Sequence, residues 1–199
     1  FVLGNKGSAL IHEMLHNLGA RFNGRPCHIP TALDRTGTVV HALLSGTYAG
    51  GSMDEVMARD YLAGRYWGAM DSNEEGFWNF ETMNLKGEQK DCAVYLSFWL
   101  FSPRSLVNLL LEPNMPRLDL EFAADDKLAV YVNGNLLDNA VKRQDNPALP
   151  QRIEGIPLEK GWNHVLLKVG QLWGGWNGRF RFIATDPAYM RQLESVIMQ

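Results

Sequence analysis

The chain reads as a mostly-β protein, an antiparallel β-sandwich preceded by a short helical extension. Three observations predict this. Residues 91–101, 127–132 and 161–169 alternate side chains with period two, the pattern of strands with distinct faces. Asn133-Gly134 follows the second run and supplies the two residues a tight hairpin turn needs at positive φ. From residue 67 onward, short runs of this kind recur at regular spacing with Gly, Pro and Asn between them, as in sandwiches.

Taken in order, residues 8–18 predict an amphipathic helix: Ile11, Met14, Leu15 and Leu18 share a stripe, Ser8 caps it and Gly19 stops it. A Pro-punctuated loop then leads to a second helical stretch with Val39, Val40, Leu43 and Leu44 on its apolar face. Ser52 caps a third, carrying Val56, Met57 and Tyr61, and Gly64 ends it. Residues 1–64 are therefore expected to be a helical extension, or the tail of an upstream domain. Strands are expected at 76–80, 91–101, 105–111, 117–122, 127–132, 161–169 and 179–183, within a sandwich spanning 65–185. In the 91–101 run both alternating sets are apolar, which predicts a central strand covered on both faces. Residues 138–152 read as one long polar loop. Asp186-Pro187 opens a final helix, 186–199, with Tyr189, Leu193 and Ile197 on one stripe.

Composition narrows the function classes. A formal net charge of −3 with no basic stripe argues against nucleic acid or an anionic membrane as partner. No apolar run approaches the ~20 residues of a membrane span. The chain opens on Phe1-Val2-Leu3-Gly4 with no Met and no signal peptide, so it reads as a mature product or a fragment. Cys27 lies in a loop and Cys92 opens an apolar strand; two unbridged thiols is the simpler reading.

Two stretches carry catalytic-looking patterns. His12-Glu13-Met14-Leu15-His16 sets His12 and His16 on one side of a helix, able to share a Zn²⁺ with Glu13 acting on its water. The run resembles the helix of a metzincin protease, with Phe22 where the third histidine would stand and His28 or Asp34 as substitutes. Asp34-Arg35-Thr36-Gly37, with residues to 62, resembles the loop and helices of cysteine-dependent phosphatases. In those enzymes a cysteine six residues before the arginine attacks phosphorus; that position is Ile29 here, with Cys27 out of register and Ala32 replacing the loop glycine.

Asp125-Asp126 opens the strand before the Asn-Gly turn. Adjacent carboxylates repel, and a counter-charge, backbone donors or a calcium ion relieves them. The order Asp-Asp, strand, Asn-Gly, polar loop, Gly161-Trp162-Asn163, strand, Trp173-Gly174, strand with Arg179 resembles the galactose-binding-like β-sandwich (jelly-roll) modules appended to secreted bacterial polysaccharide-degrading enzymes. It also resembles the protective-antigen-type sugar-binding domains, and the likeness covers roughly residues 67–185. The resemblance implies a carbohydrate-associated, non-catalytic module of a larger exported protein, extracellular or periplasmic. Its partner is a glycan or a neighbouring domain of the same polypeptide. Trp173 and Trp176 are then the expected stacking platforms; Asn177, Arg179, Asp138, Asn139, Arg143 and Asp145 are the expected hydroxyl-binding groups. The site is expected at the sandwich end built by loops 138–152 and 170–178. A purely structural or docking module, and the C-terminal piece of a hydrolase, are the other readings.

Overall fold

The computed structural model describes residues 21–22, 25–26, 31–49, 67–83, 85, 92–107, 116–137, 142–144, 150–172 and 174–197. The chain divides into a unit of residues 1–30 and a larger unit of residues 31–199. In the first, β1 (Arg21–Phe22) pairs antiparallel with β2 (Arg25–Pro26). His12 and His16 lie outside the described residues, and so does the zinc expectation attached to them.

The larger unit is an antiparallel β-sandwich. Its large sheet contains β3 (His41–Ser45), β4 (Tyr48–Ala49), β5 (Trp67–Asp71), β7 (Cys92–Ser102), β9 (Asp126–Val132), β10 (Asn135–Leu136), β11 (Lys142–Gln144), β13 (Gly161–Gln171) and β15 (Glu194–Val196). The order is β10-β9-β13-β7-β3-β5, with β11 also on β9, and β4 and β15 also on β7. The small sheet runs β12-β8-β14-β6, from β12 (Gln151–Ile153), β8 (Leu118–Ala124), β14 (Asn177–Ala184) and β6 (Phe77–Asn79).

Alternation builds the core between the sheets. Val94, Leu96, Phe98 and Leu100 of β7, Val165, Leu167 and Val169 of β13, and Leu128, Val130 and Val132 of β9 face Leu118, Leu120 and Phe122 of β8, Phe180 and Phe182 of β14, and Trp78 of β6. Phe98 and Phe182 meet edge-on, ring centres 6.0 Å apart. The opposite face of the large sheet carries a second apolar cluster, Tyr48, Tyr95, Ala129, Tyr131 and Leu166. That is why the 92–98 run is buried on both faces, as its doubly apolar sequence predicts.

The expected helix at Val39–Leu44 is a strand. Four apolar residues in a short run fit either period, and here Ala42, Leu43 and Leu44 are all buried because β3 lies between β5 and β7. Residues 31–49 thus belong to the sandwich. The 34–38 segment is a tight turn bridged at Leu33↔Val39, not a phosphate cradle. Asp34 Oδ1 accepts from the backbone N–H groups of Thr36 (2.8 Å) and Thr38 (2.9 Å), the donors an anion would need. Burial works upward on that carboxyl, but the Thr36 and Thr38 hydrogen bonds and the Arg181 charge leave it below its ordinary range. Residues 105–107 are not strand, and the 138–152 segment holds β11 and β12. The C-terminal helix is only Pro187–Met190, capped by Asp186 accepting from Ala188 N; the chain then returns as β15 along β7. Tyr189 is buried with its hydroxyl 2.6 Å from Ser102 Oγ, which fixes this segment to the core.

Candidate functional site

Four of the chain's passages from one sheet to the other, at 79–92, 124–126, 144–151 and 171–177, lie at one end, because Cys92 pairs with Gln171, Asn79 and Asn177 pair, Gly178 pairs with Ala124, and Gln144 pairs with Asp126. This register sets the Lys142–Gln144 strand and the end of β13 at the same end of the sandwich; residues 138–141, 145–149 and 173 of the expected rim loops lie outside the described residues.

Asp125-Asp126 is the corner at which the chain leaves β8 for β9. Asp126 has φ +57°, a left-handed value uncommon outside glycine, and Lys127 N donates to Asp125 O across it at 3.0 Å. The result is a γ-turn, a strained three-residue corner of a kind concentrated at functional sites. Asp126 Oδ2 accepts from Leu172 N at 2.6 Å and Asp125 Oδ1 from Asp126 N at 3.1 Å. Asp125 N donates to Asn177 O at 3.0 Å. Gly175 lies close by: a Cβ there would stand 3.1 Å from Asp125 Oδ2, a tight contact that the carboxylate would have to ease. The acid pair, the 172–176 crossing and Asn177 therefore form one structure.

Burial pushes the Asp125 carboxyl up, and the neighbouring charges of Asp126 and Glu81 push it the same way; the Asp126 N–H opposes them. A group with a raised folded-state value binds its proton more tightly folded than unfolded. Its stabilisation is full below the unfolded value and is lost as pH rises through the folded one. Without a cation, Asp125→Asn is therefore expected to melt a few degrees above wild type at pH 7, with the gap closing as pH falls toward the ordinary carboxylate range. Thermal melts at pH 7 and pH 5 check this; a variant that melts below wild type at pH 7 shows that the ionised carboxylate is stabilising.

Hard cations take oxygen ligands, and the fit is partial. Two carboxylates and the Asn177 side chain are at hand. Among the described residues, no three His, Cys, Asp or Glu side chains come together at metal-ligand spacing. Carbonyl and amide oxygens complete such a set without further acids. A cation there would relieve the repulsion that Asp125 meets from Asp126 and Glu81.

The proposed sugar contacts separate. Asn177 is half-buried at the rim. Arg179 is exposed two residues along β14, on the face turned from the core, between Phe77 and Ala123 in register. The backbone of Arg143 pairs with Lys127 beside the corner. Asp138, Asn139, Asp145 and Trp173 lie outside the described residues. Trp176 is not a platform: it is 0% exposed, packed against Phe80 at 5.4 Å between ring centres. Its backbone explains this, since Phe80 N donates to Trp176 O and draws the residue in as β14 begins. Sequence reasoning missed Gln171 and Glu81. Gln171 left a signal, a polar residue at the core-facing position that continues Val165, Leu167 and Val169.

No protein-family model matches the chain, and no curated protein matches it. Among solved structures it is similar to a β-glucosidase from Kluyveromyces marxianus in complex with glucose (14% identity, TM-score 0.42, covering 75% of this chain and 16% of that one). It is also similar to the PA14 domain of the antifreeze protein MpAFP (12%, 0.42, 87% and 96%). A family 35 carbohydrate binding module from an environmental isolate is a third (14%, 0.36, 66% and 89%). The chain spans only about a sixth of the β-glucosidase, and none of these likenesses bears on ligand or activity. No helix among the described residues is long and apolar enough to cross a membrane.

Proposed function

We propose that this chain is a carbohydrate-associated β-sandwich module of a larger, exported protein, binding a glycan at the rim where the four crossings meet. The observation behind the reading is the convergence of the strained Asp125-Asp126 corner, the Gly-rich 172–176 crossing and the Lys142–Gln144 strand. The carboxylates of Asp125 and Asp126 and the amide of Asn177 at that rim are groups that suit polyhydroxylated ligands. Asp125 and Asp126 hold a calcium ion that fixes the crossing; Asn177, Arg179, Asp138, Asn139, Arg143 and Asp145 contact hydroxyls, and Trp173 stacks on a sugar face.

A glycan array probed in calcium and in chelator tests this. Binding is expected in calcium, reduced at least tenfold in chelator and in Asp125→Asn. Trp173→Ala is expected to lose about tenfold, the equivalent of ~1.4 kcal/mol. Absence of binding to every glycan favours the structural or docking reading instead.

A further inference from the structure

Along β14, Phe180 and Phe182 enter the core, so Asn177, Arg179 and Arg181 stand on the outer face of the small sheet, each about 7 Å from the next. Asn177 belongs to the rim, and the line runs from it across the sheet. Two other arginines of this face are neutralised. Arg117 Nη1 lies 3.1 Å from Glu154 Oε2 and its Nη2 donates to Asp119 Oδ2 at 3.1 Å. Arg152 Nη2 lies 3.6 Å from Glu121 Oε2.

Arg179 and Arg181 are different. Among the described residues neither has a carboxylate at ion-pair distance. Arg181 Nε donates to Thr36 O at 3.1 Å, which leaves its terminal nitrogens for another acceptor. Asp34 feels the Arg181 charge, but its Oδ1 is held by Thr36 and Thr38. Arg179 is exposed, with the small Ala123 in register on one side and the half-buried Phe77 ring on the other. A guanidinium is a planar fork that matches two oxygens of a carboxylate or a sulfate. Two unneutralised forks in line, on a chain of net charge −3, are complementary to a ligand with repeated acidic groups.

We infer that the glycan held at the rim continues along β14 and is acidic. A carboxylate or sulfate ester on one unit pairs with Arg179, another on a following unit pairs with Arg181, and the apolar face of a sugar lies on Phe77. This rests on the glycan reading above; Arg179 then takes an acidic group in addition to hydroxyls.

Calorimetric titration of the full chain in calcium tests it, with two matched pairs of probes: oligogalacturonate against galacto-oligosaccharide, and dextran sulfate against dextran. The acidic member of a pair is expected to bind about tenfold more tightly, and the pair that responds identifies the acidic group. Arg179→Gln and Arg181→Gln are each expected to weaken that binding about tenfold. Lys160→Gln removes the same charge from an exposed residue beside Gly161, at the opposite end, and is expected to change nothing. Thermal melts check that the variants fold; should Arg181→Gln fail, the exposed Arg179 decides alone. Equal affinity for acidic and neutral members overturns the inference, and so does acidic binding that ignores the arginine variants or falls equally in Lys160→Gln. Equal affinities that both fall in Asp125→Asn leave the rim reading standing without the arginine line. Acidic binding lost in the arginine variants but indifferent to Asp125→Asn and chelator keeps the line and removes the rim. No binding to any probe overturns both.

Discussion

A fragment comprising residues 65–185 is expected to remain unfolded, whereas 31–199 unfolds as a cooperative unit. The shorter piece matches the boundary that strand patterning suggests, but it removes β3, β4 and β15, the three segments paired to one edge of β7. It also removes Val39, Ala42 and Leu44 from the core, and the Val39 carbonyl that accepts from Trp78 Nε1 at 2.9 Å. Tyr189 goes with them, as does Ser195 Oγ, which accepts from Leu33 N at 2.8 Å and joins the two ends of the unit. Burial of a Val or Leu side chain is worth roughly 1.5–3 kcal/mol, and a domain's whole stability is only about 5–15 kcal/mol. Losing Val39, Leu44 and Tyr189 together costs about 5–9 kcal/mol on that scale, most of a domain's stability before the lost strand pairing on β7 is added. Circular dichroism and thermal melts of the two fragments decide the matter; a cooperative transition in 65–185 would show that the edge of β7 needs no partner.

Trp176→Ala is expected to destabilise the protein by about 3–5 kcal/mol, the usual cost of emptying a buried aromatic site. For a domain of this size that lowers the melting temperature by about 6–20 °C. The fully buried ring packs beside Phe80 within the hydrophobic core, so its removal leaves a cavity. A melting temperature within 2 °C of wild type would place the indole at the surface, and the first reading of it as a sugar platform would return.

The contrast between these residues shows what the sequence could and could not convey. Strands β7, β9, β13 and β14 were legible because long runs of strict alternation admit one period only. The Asn133-Gly134 turn was legible because its backbone needs left-handed residues; both have positive φ, 51° and 83°. β3 was not legible. Five residues in His41–Ser45 suit a helix face as well as a strand, and only the neighbours β5 and β7 decide between them. β15 was hidden for a similar reason: Tyr189, Leu193 and Ile197 make a helical stripe on paper, yet the chain leaves the helix after Met190 to pair with β7. At the site, the Asp125-Asp126 corner stood out as an electrostatic anomaly. The sheet crossing that makes it a rim did not, since it depends on β8 and β9 lying in different sheets. Trp176 in a Gly-rich loop looked exposed because loop composition says nothing about which residue the following strand draws inward.

The placement of the ligand site is tested most directly by mapping amide shifts on the ¹⁵N-labelled chain during titration with calcium and then with any glycan the array selects. The predicted result is saturable perturbation at Asp126, Gly174, Gly175 and Asn177, with Asn133, Gly134 and Gly161 at the opposite end unmoved. Perturbations clustered at that opposite end, or none at the Asp125-Asp126 corner while a glycan binds, would contradict it.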